Sequence, residues 1–460
     1  MIPFAHALAS RGDLPIPAWL FAWGAAIVLV VSFFALSAAW RQPKFEETRW
    51  RAITPRLSRI LFSWPVASVC GAIGALLLGF VVYVGFAGTD APDRNFALTF
   101  VFVTVWLGFP VLSVLIGDFF RVFSPWRFLG RVVGGGVALL FRGPVPHLEY
   151  PERLGRWPAA AGLVAFVWLE IIYGSIGTSV SLSPEVVAQA TVIYSIYTFS
   201  MMALFGVEKW NERGEFLAVY FNMFSQLSIF EVRDRSFGRR APFSGAANWA
   251  KVPGSLGLVI SAIAVTTFDG AQEGALRPAI EWLQETLGDL GFGVTEAVRG
   301  GDTIFLLIVI AFVAAIYLTG VKGMLGIPGA PSFAKLRESF AHTLVPIALA
   351  YLVAHYFSLF VFQEQAQFTF LLSDPLGDGS NLFGTAGTGI DYSVIGTSFV
   401  WYVQLIALLA GHVLGLVLAH DRAVFIWKDY RMATRSQYWM LAVMISFTCL
   451  GLYLLSVANQ

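Results

Sequence analysis

A few side chains able to do chemistry interrupt the long apolar runs of this chain. They are Glu170 in FVWLEIIYG, Asp269 in AVTTFDG, His342 and His355 in HTLVPIALAYLVAHYFSLF, and Gln404 and His412 in QLIALLAGHVLGLVLAHD, which ends with His420 and Asp421. A carboxylate and an imidazole brought together supply either two ligands for a metal or an acid/base pair. Three chemistries follow. Asp269, His355 and Glu170 could hold a divalent metal (zinc, iron or copper) that activates water for ester or phosphoester hydrolysis. The same groups could carry protons, with His342 and His412 continuing the route, as in a proton-coupled transporter of a small molecule or ion. His342 opposite His412 could bind haem, as in a membrane subunit of a redox complex. This is the weakest of the three, because no histidine stands 13 or 14 residues from His412 to complete a two-haem pattern. His342 and His355 are roughly 20 Å apart along a helix and cannot share one ion.

These groups need a scaffold, and composition says which kind. Of 460 residues, 57% are hydrophobic and only 13% charged, and the mean hydropathy is +0.70, the profile of a polytopic membrane protein. The bilayer is the expected solvent, and a net charge of +1 gives no footprint for nucleic acid. Cys70 and Cys449 both lie in apolar runs, so neither a disulfide framework nor a thiolate zinc site is expected. G-x-S-x-G, H-E-x-x-H and Walker motifs are absent from the sequence, so a hydrolase would belong to none of those classes and a transporter would not itself consume ATP.

A bilayer-spanning helix takes about 20 mostly apolar residues. The sequence offers ten such stretches, about 16 to 40, 63 to 87, 96 to 116, 157 to 179, 185 to 207, 253 to 269, 303 to 321, 338 to 362, 395 to 420 and 436 to 456. With the amino terminus outside, 26 of the 30 Lys and Arg residues fall on the cytoplasmic side, leaving Arg11, Arg94, Arg277 and Arg299. That asymmetry predicts an inner-membrane protein with both termini outside. FFRVFSPWRFLGRVVGGGVALLF and EFLAVYFNMFSQLSIFEVRDR are expected as interfacial or re-entrant helices. ALRPAIEWLQETLGDL reads as an amphipathic helix across the outer face. The segment 363 to 394, with Asp374, Asp378, Asn381 and Asp391 among glycines, reads as a structural turn region.

The rise of about 1.5 Å per residue turns position into depth. Glu170, Asp269 and His355 come out about 20 to 25 Å from the cytoplasmic side, with Gln404 also in the outer half. His342 and His412 come out together at about 12 Å, a second and inner level. Pro346 is expected to kink its helix and free the carbonyl of His342.

YPERLGRWPAAAGL, TTFDG, LVPIALAYLVAHYFSLFVFQEQ, GHVLGLVLAHDRA and SQYWMLAVMISFTCLGLYLL resemble a family of bacterial polytopic membrane proteins, some of them labelled fenitrothion hydrolase. The resemblance runs over most of the chain from about residue 100. It implies hydrolysis of an apolar organophosphate triester, with a second membrane subunit or a homo-oligomer as partner. The expected fold is all-α, one integral membrane domain of about ten spans with one or two interfacial or re-entrant helices. The expected site is built from Asp269, His355, Glu170 and Gln404.

Overall fold

The computed structural model describes residues 18–45, 50–61, 63–174, 182–249, 251–272, 274 and 276–458. In chain order the principal helices are α1 (Ala18–Ala39), α2 (Trp64–Ala87), α3 (Phe96–Ile116), α4 (Pro125–Leu140), α5 (Trp157–Tyr173), α6 (Pro184–Phe205) and α7 (Phe216–Ser225). They continue with α8 (Ser255–Gln272), α9 (Arg277–Asp289), α10 (Val294–Gly323), α11 (Val345–Phe368), α12 (Thr397–Trp427) and α13 (Tyr438–Ala458). Helix makes up 73% of the structure and strand 2%.

Seven helical stretches, containing α2, α3, α6, α8, α10, α11 and α12, are long and apolar enough to cross a membrane, which makes the chain an integral membrane protein. The other three apolar stretches of the sequence fall on α1, α5 and α13, which are shorter over their described side chains. Residues 175–181, at the end of the expected fourth span, lie outside the described residues. Proline opens several helices, including α2, α4, α5, α6 and α11, because it lacks an N–H at the one position where the helix needs none.

Pro346 is one of these helix-opening prolines, which corrects the expected kink. It sits in the first turn of α11, and the preceding Ala341–Leu344 is a 3-10 turn. The carbonyl of His342 is not freed: it accepts the Val345 N–H. Helix α12 runs antiparallel against α11, and glycines let the backbones touch. A Cβ at Gly415 would stand 2.9 Å from the Thr343 carbonyl, and one at Gly411 would overlap the Ala350 side chain.

The two apolar segments expected as interfacial or re-entrant helices take different forms. Helix α4 is amphipathic: Val132, Val133, Leu139 and Leu140 are exposed, while Arg127 and Arg131 reach Glu208. It matches an interfacial helix. Nine of the ten residues of α7 are buried, all but Asn222, and the helix packs on α3 and α5. Its N-terminus is capped by the buried Glu215, which accepts from Leu217 N (3.1 Å), Ala218 N (2.8 Å) and Tyr194 Oη (2.7 Å).

A small sheet departs from the all-α expectation. β1 (Arg51–Ala52) and β2 (Phe230–Arg233) both pair antiparallel with β3 (Ser236–Arg239), Arg51 opposite Arg239 and Val232 opposite Phe237. The β2–β3 turn places Asp234 and Arg235 both at positive φ (47° and 58°), the handedness a two-residue hairpin needs, without the Asn-Gly or Asp-Gly pair that advertises it in sequence. Helix α9 lies alongside the start of α10, with Ile280 buried and Gln284 Nε2 donating to Asp302 Oδ1 at 2.7 Å, so it forms a helical hairpin.

Candidate functional site

Asp269 lies one turn from the end of α8, where it meets the middle of α11. The helix before it is apolar and buried, and Thr266 and Thr267 return their hydroxyls to the carbonyls of Ala262 and Ile263. Asp269 is therefore the first side chain on this helix to offer charge toward α11.

Three donors converge on its carboxylate. His355 Nε2 is 2.9 Å from Oδ2, Tyr356 Oη donates to the same oxygen at 2.7 Å, and Gln272 Nε2 donates to Oδ1 at 3.0 Å. A carboxylate only accepts, so this geometry puts the proton of a neutral His355 on Nε2. Nδ1 then faces the other way, over Gly270, where an added Cβ would stand 3.5 Å from the ring. The residues before Asp269 on α8 are sealed, yet its side chain keeps 13% of its surface and His355 keeps 16%.

Glu170 reaches the same neighbourhood from α5. The last turn of that helix, Trp168–Tyr173, is wound as a π-helix, a form concentrated at functional sites. The turn is fixed to α10 by Trp168 Nε1 donating to Thr303 Oγ1 (2.8 Å) and by Arg299 donating to the Tyr173 carbonyl (2.9 Å). Glu170 is near enough to Asp269 and Tyr356 to couple with both electrostatically. Gln404 comes from α12: the contacts of Gly411 with Ala350 and of Phe399 with Phe357 set the register, which puts Gln404 level with His355. It is 3% exposed, and its Oε1 has no hydrogen-bond partner among the described residues.

The inner histidines do not form a pair. By the same register His342 lies roughly a turn beyond His412. His412 Nδ1 donates to the Leu408 carbonyl of its own helix at 2.8 Å, with Tyr351 alongside, while His342 is under the charge of Arg422. His420 and Asp421 serve the end of α1. His420 Nε2 lies 3.0 Å from the Trp40 carbonyl and Nδ1 3.0 Å from Gln437 Nε2, while Asp421 accepts from Trp40 Nε1, Lys44 N and Phe45 N.

Tyr356 and Gln272 were missed by the sequence reading. Tyr356 adjoins His355, and Gln272 stands three residues after Asp269, a spacing that shares one helix face. Glu364 was also missed, since the sequence places it in an outer loop. It belongs to α11, buried beside Thr104 of the π-wound middle of α3. Asp374 does act as a turn former, accepting from Asp378 N and Gly379 N.

Two cofactors can be tested against this geometry. Among the described residues no three His, Cys, Asp or Glu side chains converge as a metal-ligand set, so Asp269, His355 and Glu170 do not fit a three-ligand centre. Haem does not fit between His342 and His412, because α11 and α12 touch backbone to side chain at Gly411 and Gly415 and leave no gap for a macrocycle. No protein-family model, curated protein or solved structure matches this chain.

Proposed function

We propose that this chain is a ten-span inner-membrane protein, both ends outside, that couples proton exchange at Asp269 and His355 to the movement of a small, weakly polar solute. The observation that carries the reading is the convergence of His355, Tyr356 and Gln272 on one carboxylate within an apolar helix, with Glu170 nearby and both Asp269 and His355 only partly buried. Ionisable groups inside spans mark ion and proton pathways by default, because their desolvation is costly unless function retains them. A proton on His355 can leave through Nδ1 while Asp269 holds the ring, and Tyr356 and Glu170 offer further positions for it.

The second reading is hydrolysis of a neutral aryl phosphotriester, the activity implied by the resemblance to the fenitrothion hydrolase family. It is supported by the carboxylate–imidazole orientation, which makes Nδ1 a general base. Water would give its proton to Nδ1 and attack phosphorus, and the aryloxide would leave.

One preparation separates the two. Proteoliposomes loaded with a pH indicator are given a neutral aryl phosphotriester and followed both for internal pH and for released phenol. Proton movement without phenol, abolished in Asp269→Asn, supports coupling. Phenol release abolished in Asp269→Asn and His355→Ala, with no pH change beyond the acid that triester hydrolysis itself releases, replaces coupling with hydrolysis.

A further inference from the structure

A second feature of the molecule lies away from the acid/base cluster. Helices α2, α3, α5 and α6, with the starts of α4 and α7, line a partly open cleft of about 1070 Å³. Its wall is almost wholly apolar, from Val81 and Phe102 at one end to Phe123 and Trp126 at the other. Of the few polar groups on it, Trp126 Nε1 donates to Ser195 Oγ (2.9 Å) and Tyr194 Oη to Glu215 (2.7 Å). The cleft lies at the upper end of the roughly 300–1,000 Å³ typical of small-molecule sites, and its wall offers few polar groups to orient such a ligand.

The Phe123–Trp126 end is marked by charge. Arg121 and Arg127 flank this turn, with Arg131 one turn further along α4. All three guanidinium groups share Glu208: Arg127 at 2.9 Å, Arg131 at 2.6 Å and Arg121 at 3.6 Å, with Glu212 3.5 Å from Arg121. Asp118, which accepts from Asn222, also lies within reach of Arg121 and Arg127, so what these arginines offer a ligand is the donors they leave exposed. Arg121 and Arg131 keep 47% and 50% of their side-chain surface, so each has N–H donors still facing water or a headgroup. The exposed Val132, Val133 and Leu139 of α4 place this end at a membrane surface.

We infer that the cleft holds the acyl chains of an anionic glycerophospholipid whose phosphate sits on Arg121 and Arg131. The apolar wall supplies the affinity and the arginines the headgroup preference, because a guanidinium binds phosphate through paired donors. The bound lipid would brace α4 and α6 against α2. This inference does not rest on the proposed function.

The test uses the full chain purified in mild detergent. Retained phospholipid is quantified by mass spectrometry, and melting temperature is followed on adding phosphatidylglycerol, phosphatidylcholine or inorganic phosphate. Wild type should keep anionic lipid through purification and prefer phosphatidylglycerol over phosphatidylcholine roughly thirtyfold, as two surface arginines imply. Arg121→Gln with Arg131→Gln should erase the preference while still binding lipid. Ala165→Trp, which fills the cleft, should lose retention of both lipids, and Ala161→Leu is the milder filler if that variant does not fold. Equal retention of the two lipids by wild type overturns the inference. So does undiminished retention in folded cleft-filled variants, or a melting shift from inorganic phosphate alone equal to that from phosphatidylglycerol.

Discussion

Asp269→Asn keeps the shape of the side chain and removes its ability to accept from His355, Tyr356 and Gln272 at once. Proton-linked activity should fall at least about a hundredfold, the usual worth of a positioned acid/base group, with the melting temperature nearly unchanged. Tyr356→Phe removes one of the three donors and should leave activity measurable, with its pH profile displaced. An unchanged profile would make Tyr356 a packing residue. Gln404 offers a sharper test, because its buried Oε1 has no hydrogen-bond partner among the described residues. If it were structural, Gln404→Leu would be harmless or stabilising, since removing an unsatisfied polar group relieves its desolvation cost. The expected outcome is a melting temperature equal to or above wild type together with lost activity. Asp269 and His355 were legible in the sequence because each breaks an apolar run, and rise per residue alone puts them at one depth. Tyr356 and Gln272 were not, since tyrosine and glutamine are ordinary near membrane surfaces and only the α8–α11 contact gives them a role.

The elements carry their own limits on what side chains can do. The α11–α12 pair is held by close approach at Gly411 and Gly415, so Gly411→Val must push α12 away from Ala350 and Pro346. Overpacking of this kind costs about 1–3 kcal/mol, and it should appear as a lowered melting temperature together with weakened activity, because Gln404 moves with the helix. At the surface, Glu208 ties α4 to the Val207–Arg213 helix. Burial alone would raise its carboxyl, but the Arg127 and Arg131 guanidinium groups outweigh this and hold it below its ordinary value. A depressed carboxyl contributes stability above its unfolded value, about 4.3, and loses it as pH falls through the folded value. Acid loosening of α4, read by proteolysis below about pH 4, should therefore be absent in Glu208→Gln, which is already loose at neutral pH. Apolar length made the helices readable. The π-winding of α5 was not readable, because it depends on how Arg299 and Thr303 of α10 hold the turn. Pro346 misled because a proline that opens a helix and one that kinks it look alike until the preceding 3-10 turn is seen.

At the scale of the whole molecule, the positive-inside pattern and the bundle make one joint claim about sidedness. The β2–β3 turn at Asp234 and the connection at Ser332 belong to arginine- and lysine-rich segments. Glu285 on α9 and Thr388 in the turn region after α11 belong to segments with almost none. All four positions are exposed, so cysteines there can report which side they face without disturbing packing. Ser58 and Ser436 would be poor reporters despite lying in basic segments, since both are buried, Ser58 accepting the Phe237 N–H beneath the sheet. Cysteines at Glu285 and Thr388 should react with an impermeant thiol reagent in intact cells, and those at Asp234 and Ser332 only after the membrane is opened. Cys70 and Cys449 lie within apolar helices, so they add little background. Among the described residues one helix long and apolar enough to span, α8, separates Asp234 from Glu285, and one, α11, separates Ser332 from Thr388, so each pair should face opposite sides. Reaction of Asp234 and Glu285 from the same side would mean that α8 does not cross, and Asp269 would no longer lie within the bilayer. Opposite reaction within each pair, but with Asp234 outside, would keep the bundle and invert the protein, so that the Asp269–His355 pair would draw its protons from the cytoplasm.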